Sequence, residues 1–130
     1  MDLVKMFVNG QAMSGGSIST GLRGARFLGA ASTAPSYRFY SVRAEFPGLS
    51  WVADGGAAIA GELYEVSYAG LRSQLLPLEP PELELSIIEL ADGSGSLSMV
   101  MRADAIGGPD TLDITGHGGW HAYLAARENA

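Results

Sequence analysis

Four groupings in the sequence bring together side chains capable of chemistry. These are the carboxylates Glu79, Glu82, Glu84 and Glu89, the histidines His117 and His121, the stretch Ser14-Gly15-Gly16-Ser17, and the polar run Asn9-Gly10-Gln11 ahead of it. Glu82 and Glu84 fall two apart at the start of a predicted strand, the spacing of a solvated face. Glu79 differs, because it sits between Leu78 and Pro80 at a predicted helix-to-strand junction. A carboxylate there can be partly desolvated and serve as a base, with a plain surface position as the alternative.

His117 and His121 are four apart, the spacing that sets two imidazoles on one helical face for zinc. Gly118 and Gly119 lie between them, however, and no carboxylate takes the second position of a metalloprotease motif. They read as surface or capping residues, and neither a metal nor a cofactor is expected. Ser14 and Ser17 lack the Ser-Lys spacing that would activate a hydroxyl. Their loop reads as a backbone nest, whose successive N–H groups could hold a carboxylate or carbamate, or as a linker. Trp51, Trp120, Tyr37, Phe39, Tyr40, Tyr64 and Tyr123 read as core or pocket wall.

These candidates need a scaffold, and 130 residues with 47% hydrophobic side chains are enough for one packed domain over residues 1–130, its core at about 4–125. The net charge of −6 and only eight Lys and Arg speak against nucleic acid. No run of 18 apolar residues and no secretory leader are evident, so no membrane association is expected and a cytoplasmic location is. The absence of cysteine excludes disulfides and thiolate chemistry.

Glycines and prolines punctuate the chain at intervals that favour short strands. Strands are predicted over Leu3 to Asn9, Ala25 to Thr33, Tyr37 to Val42, Leu49 to Val52, Ala57 to Val66, Leu83 to Leu90 and Ser96 to Ala103. The last two flank a hairpin turn at Ala91 to Gly95. Ser67 is the predicted N-cap of a short helix stopped by Pro77, and Trp120 to Arg127 is a predicted terminal helix.

The order of several segments resembles γ-glutamylcyclotransferase-like proteins: Phe7-Val8-Asn9-Gly10-Gln11, Arg26-Phe27-Leu28-Gly29, Thr33 to Tyr40, Pro47-Gly48-Leu49, and Gly61-Glu62-Leu63-Tyr64-Glu65-Val66. Ile88 to Gly93, and Asp113 to Leu124 with its Gly118-Gly119-Trp120 element, are similar to the C-terminal domain of allophanate hydrolases. The resemblance runs from Val4 to Ala125. It implies an α+β fold, a γ-glutamylcyclotransferase-like mixed β-barrel or sheet with a few short helices, and a ligand pocket around the first glycine loop. Its implied ligand-binding residues are Asn9, Gly10, Gln11, Ala12, Met13, Ser14 and Gly15. Where the family's V-G-x-H-x-x-G loop carries a histidine implicated in decarboxylation, this chain has Ala12. Leu75-Leu76-Pro77-Leu78-Glu79 is similar to the stretch bearing the cyclotransferases' catalytic glutamate, which makes Glu79 the candidate catalytic residue and leaves Glu82 as the alternative.

Three functions follow as expectations. One is a small-molecule-binding domain for a carboxylate, carbamate or amide that works beside a separate amidase. A second is γ-glutamylcyclotransferase-type chemistry with Glu79 as base. The third is a structural module for homodimerisation or docking to an amidase, in which Trp120 to Leu124 could pack across a subunit boundary, with closure of its own core as the plainer reading of that segment.

Overall fold

The computed structural model describes residues 3–13, 16 and 19–129, and eight strands in it form one curled mixed sheet. The strands are β1 (Leu3–Val8), β2 (Arg26–Ser32), β3 (Tyr37–Val42), β4 (Phe46–Trp51), β5 (Ala60–Ser67), β6 (Leu83–Glu89), β7 (Gly95–Met101) and β8 (Thr111–Asp113). The order across the sheet is β2-β5-β1-β7-β4-β3-β8, with β6 paired to β7 off that path.

The register at β7 explains the curl. β6 pairs antiparallel along the whole of β7, from Leu83↔Met101 to Glu89↔Gly95. That occupies one edge, so β1 and β4 must share the other. β1 pairs in parallel at Leu97 and Ser98, and β4 in parallel at Val100. The sheet therefore splits into two arms beside β7, β1-β5-β2 and β4-β3-β8, and a cleft opens where they part. The buried hydroxyl of Ser98 marks the seam, donating to the Phe7 carbonyl at 2.9 Å.

β1 is central and covered on both sides, so Met6, Phe7 and Val8 are buried in succession instead of alternating. They join Phe39, Leu49, Ile59, Leu75, Ile114 and Trp120 in the main core. A smaller cluster, Val42, Phe46, Leu83 and Met101, lies under the second arm. The edge strand β2 carries a bulge between Phe27 and Gly29, and Gly29 adopts φ 125°, a conformation that favours glycine.

The structure moves several predicted boundaries. β4 begins at Phe46 rather than Leu49, because Pro47 fits an unbonded position opposite Ser41. β5 starts at Ala60, Ala57 making only a bridge to Tyr37. The short strand β8 was not expected from sequence. It exists because β3 offers it a free edge from Tyr40 to Val42. Trp51 is 64% exposed at the end of β4, outside any core. Among the described residues no helix is long and apolar enough to cross a membrane.

Ser67 caps α1 (Tyr68–Gly70) as expected, its Oγ accepting from the Gly70 N–H at 3.0 Å. Pro77 does not end the helical path, however. The chain widens into a π turn at Leu71–Leu75, where the Leu76 N–H bonds to the Leu71 carbonyl, and then tightens into a 3-10 turn at Leu76–Leu78. Proline is tolerated in the first turn of that new segment, where its missing N–H has no bond to make. The terminal helix α2 (Trp120–Glu128) packs Trp120 and Tyr123 inward.

Candidate functional site

The cleft between the arms holds a cavity of about 380 Å³, within the range of small-molecule sites, roughly 300–1,000 Å³. Four stretches wall it. The end of β1 and its following loop contribute Met6 to Ala12. The turn between β3 and β4 contributes Arg43 and Glu45 to Pro47. The helix-to-β6 junction contributes Leu78 to Leu83, and β7 contributes Ser98 and Met99.

Glu79 reaches this wall for a local reason. Its N–H closes the 3-10 turn on the Leu76 carbonyl at 3.1 Å, and Pro80 then bars it from helical geometry. Glu79 is accordingly extended, at φ −78° and ψ 143°, and half-buried at the cavity. Burial raises its carboxyl from 4.5 to about 7. Glu82 sits three residues on in the opposite situation. Its Oε2 accepts from Arg43 Nη1 at 2.8 Å, and that bond holds it below the ordinary carboxylate range. One wall thus carries two carboxyls, one poised to exchange a proton near neutrality and one kept ionised, the kind of separation that assigns acid–base roles.

The guanidinium is held by an unusual turn. Arg43 and Ala44 have φ of 54° and 57°, left-handed values that cost a non-glycine residue about 1 kcal/mol or more. Compensating contacts surround them. The Arg43 N–H donates to the Asp110 carbonyl at 2.9 Å, and its side chain meets Glu45 Oε1 at 3.2 Å and lies 5.6 Å from the Phe46 ring centre. Gln11 Nε2 donates to the Glu45 carbonyl, tying the first loop to the same turn.

Of the residues expected to bind ligand, Asn9, Gly10, Gln11 and Ala12 line this cavity beside Glu79. Met13 does not. It is buried against a second cavity, of about 330 Å³, whose walls include Glu62, His117, Trp120 and His121. Ser14 and Gly15 lie outside the described residues. The backbone nest is not formed at Met13 or Gly16, whose N–H groups are consumed by the Gly10 and Met13 carbonyls at 3.1 and 2.8 Å. Asn9 and Glu82 each leave a buried polar atom, Nδ2 and Oε1, with no hydrogen-bond partner among the described residues. His117 meets the Tyr123 ring edge-on at 5.4 Å, and among the described residues no group of three or more His, Asp or Glu could hold a metal ion.

Sequence reasoning missed Arg43, Glu45, Ser98 and Met99. Only the position of Arg43-Ala44-Glu45 between two predicted strands hinted at a turn, and nothing in it is typical turn chemistry.

Comparison with known proteins places this architecture. The family model of the allophanate hydrolase C-terminal domain matches residues 4–125. The chain belongs to that family. A crystal structure of a uropathogenic E. coli-specific protein shares 29% identity and a TM-score of 0.89, over 96% of this chain and 98% of that one. Kluyveromyces lactis allophanate hydrolase shares 27% identity and a TM-score of 0.90 over 98% of this chain, which spans only 22% of that longer one. A γ-glutamyl cyclotransferase, 12% identical, has a TM-score of 0.58 over 78% of this chain and 68% of its own, and shows the common fold. The expected α+β, γ-glutamylcyclotransferase-like architecture is therefore the fold of this family member. No curated protein matches the chain significantly in sequence.

Proposed function

We propose that the cavity between the arms binds a small carboxylate, carbamate or amide, that Glu79 exchanges a proton with it, and that the domain works beside an amidase. The observation that carries this reading is a carboxyl with a pKa near 7 facing a small cavity also lined by Asn9, Gly10 and Gln11. At neutral pH such a group is present in both forms, so it can donate to a ligand oxygen or accept from a ligand nitrogen. Ala12, on the same wall, has only a methyl group and can do neither. The amidase association is supported by the family, whose name is that of a domain within a hydrolase.

Thermal-shift measurements with ureido compounds and malonate-like carboxylates test this. Stabilisation of the wild type, reduced in Glu79→Gln, is expected. No shift with any of them, in the wild type or in Ala12→His, would overturn the reading.

Glu79 also favours a second reading, γ-glutamylcyclotransferase-type chemistry. Its carboxylate would take a proton from a substrate α-ammonium, the freed amine would attack the γ-carbonyl to close a lactam, and the departing amine would receive the proton. Release of 5-oxoproline from γ-glutamyl dipeptides, lost in Glu79→Gln, is the outcome this reading requires. Turnover that survives the substitution removes Glu79 from the role.

A further inference from the structure

Glu79 stands at the cavity without a contact that would fix its carboxyl there. Among the described residues its side chain makes no hydrogen bond and no ion pair, and only its backbone N–H is engaged, on the Leu76 carbonyl at 3.1 Å. Its place at the wall therefore depends on what holds the backbone. The segment that follows is held at every acceptor. The Pro80 carbonyl accepts from the Leu83 N–H at 3.2 Å, the Pro81 carbonyl from Arg102 Nε at 2.9 Å, and the Glu82 carbonyl from the Arg102 N–H at 2.9 Å. From the turn between β3 and β4, Arg43 Nη1 donates to Glu82 Oε2 at 2.8 Å. Pro80 and Pro81 have φ locked near about −65°, so little play remains between the gripped Glu82 and Glu79.

Charge acting directly on Glu79 does not explain its state. The other charged residues lining the cavity are Arg43 and Glu45 from the β3–β4 turn and Glu82 from its own segment, while the first loop and β7 contribute none. Burial alone raises the Glu79 carboxyl, with no part from the guanidinium. Arg43 is bonded instead to Glu82 and Glu45.

We infer that Arg43 and Arg102 are positioning residues for Glu79: by clamping the Pro80-Pro81-Glu82 segment from two parts of the sheet, they set how deep its carboxyl lies in the cavity. The inference rests on the reading of Glu79 as the proton-exchanging group. Without Arg43, Glu82 keeps a buried oxygen and no counter-charge, a state that a carboxylate leaves for water. The prolines move with it, Glu79 gains solvent, and its proton affinity falls. A direct electrostatic role for Arg43 has the opposite sign, because removing a cation raises a neighbouring carboxyl.

Titration of the Glu79 carboxyl by NMR, in the full chain and its variants, decides between them. The wild-type midpoint is expected at about 7. Arg43→Met is expected to lower it by about one unit or more, a tenfold or larger loss of proton affinity. Arg102→Met should lower it less, since the backbone N–H at that position still holds the Glu82 carbonyl. Glu82→Gln keeps an oxygen for the guanidinium to bond and should stay near the wild type. Thr115→Val, which weakens the fold away from this cavity, should leave the midpoint in place. A midpoint unmoved or raised in Arg43→Met overturns the inference and leaves Glu79 the proton-exchanging group, as does one that falls equally in Thr115→Val. If Arg43→Met does not fold, an unmoved midpoint in Arg102→Met overturns it instead. A wild-type midpoint near that of an ordinary carboxyl sinks the inference together with the reading beneath it.

Discussion

Replacing Glu79 by glutamine removes one titration and leaves the side-chain volume nearly unchanged, so its effect on stability can be worked out over pH. The carboxyl has a pKa of about 7 in the folded protein against 4.5 for the ordinary group. Below about pH 4.5 it is protonated in both states, and folding bears no penalty. Between 4.5 and 7 the unfolded chain releases the proton while the folded one keeps it, so stability falls as pH rises. Above about 7 both states are ionised, and the loss is complete. At about 1.4 kcal/mol for each tenfold, that interval amounts to about 3 kcal/mol. Glu79→Gln should therefore match the wild type near pH 4.5 and exceed it by about 2–3 kcal/mol above pH 8. Urea unfolding of both proteins at a series of pH values measures the difference, in which every other titrating group cancels. Curves that run parallel from pH 4.5 to 8.5 would refute a buried, desolvated Glu79.

Other substitutions probe the frame around the cavity. A Cβ on Gly10 would stand 2.3 Å from Pro47 Cδ and 2.6 Å from its Cγ, so Gly10→Ala should cost about 1–3 kcal/mol and weaken any ligand-induced thermal shift. Thr115 Oγ1 accepts from the Phe39 N–H at 2.8 Å and donates to Asp113 Oδ1 at 2.6 Å. Thr115→Val leaves the Phe39 N–H unmatched and should lower unfolding free energy by about 1–3 kcal/mol, with little change in the slope of the urea transition. Ala44, at φ 57°, lies outside the cavity wall, so Ala44→Gly should relieve strain and raise stability by about 1 kcal/mol without altering ligand affinity.

What could be read in the sequence was what local chemistry decides. Asp92-Gly93 specifies its hairpin because Gly93 takes φ 86° and Asp92 accepts from the Ser94 N–H at 2.9 Å, both effects of nearby residues. Glu79 was legible for the same reason, since Pro80 dictates the conformation of the residue before it. Arg43 was not. Its left-handed turn contains no glycine or asparagine and is stabilised by Glu82 and Asp110, some 40 and 70 residues away in sequence. The division of the first loop was equally hidden. A bond from the Met13 N–H to the Gly10 carbonyl turns the chain, leaving Ala12 on one cavity and Met13 on the other. The splitting of the sheet at β7 depends on which strands share an edge, and pairing across 90 residues leaves no trace in local pattern.

The central claim is that Glu79 is a proton-exchanging group of a ligand cavity, and the pKa of its carboxyl tests that most directly. Carbon-detected NMR of a protein labelled at the glutamate side chains, assigned through Glu79→Gln, follows it with and without malonamide. The account predicts titration at about 7 and a displaced midpoint when malonamide is present. Titration near 4.5, unmoved by malonamide, would contradict it.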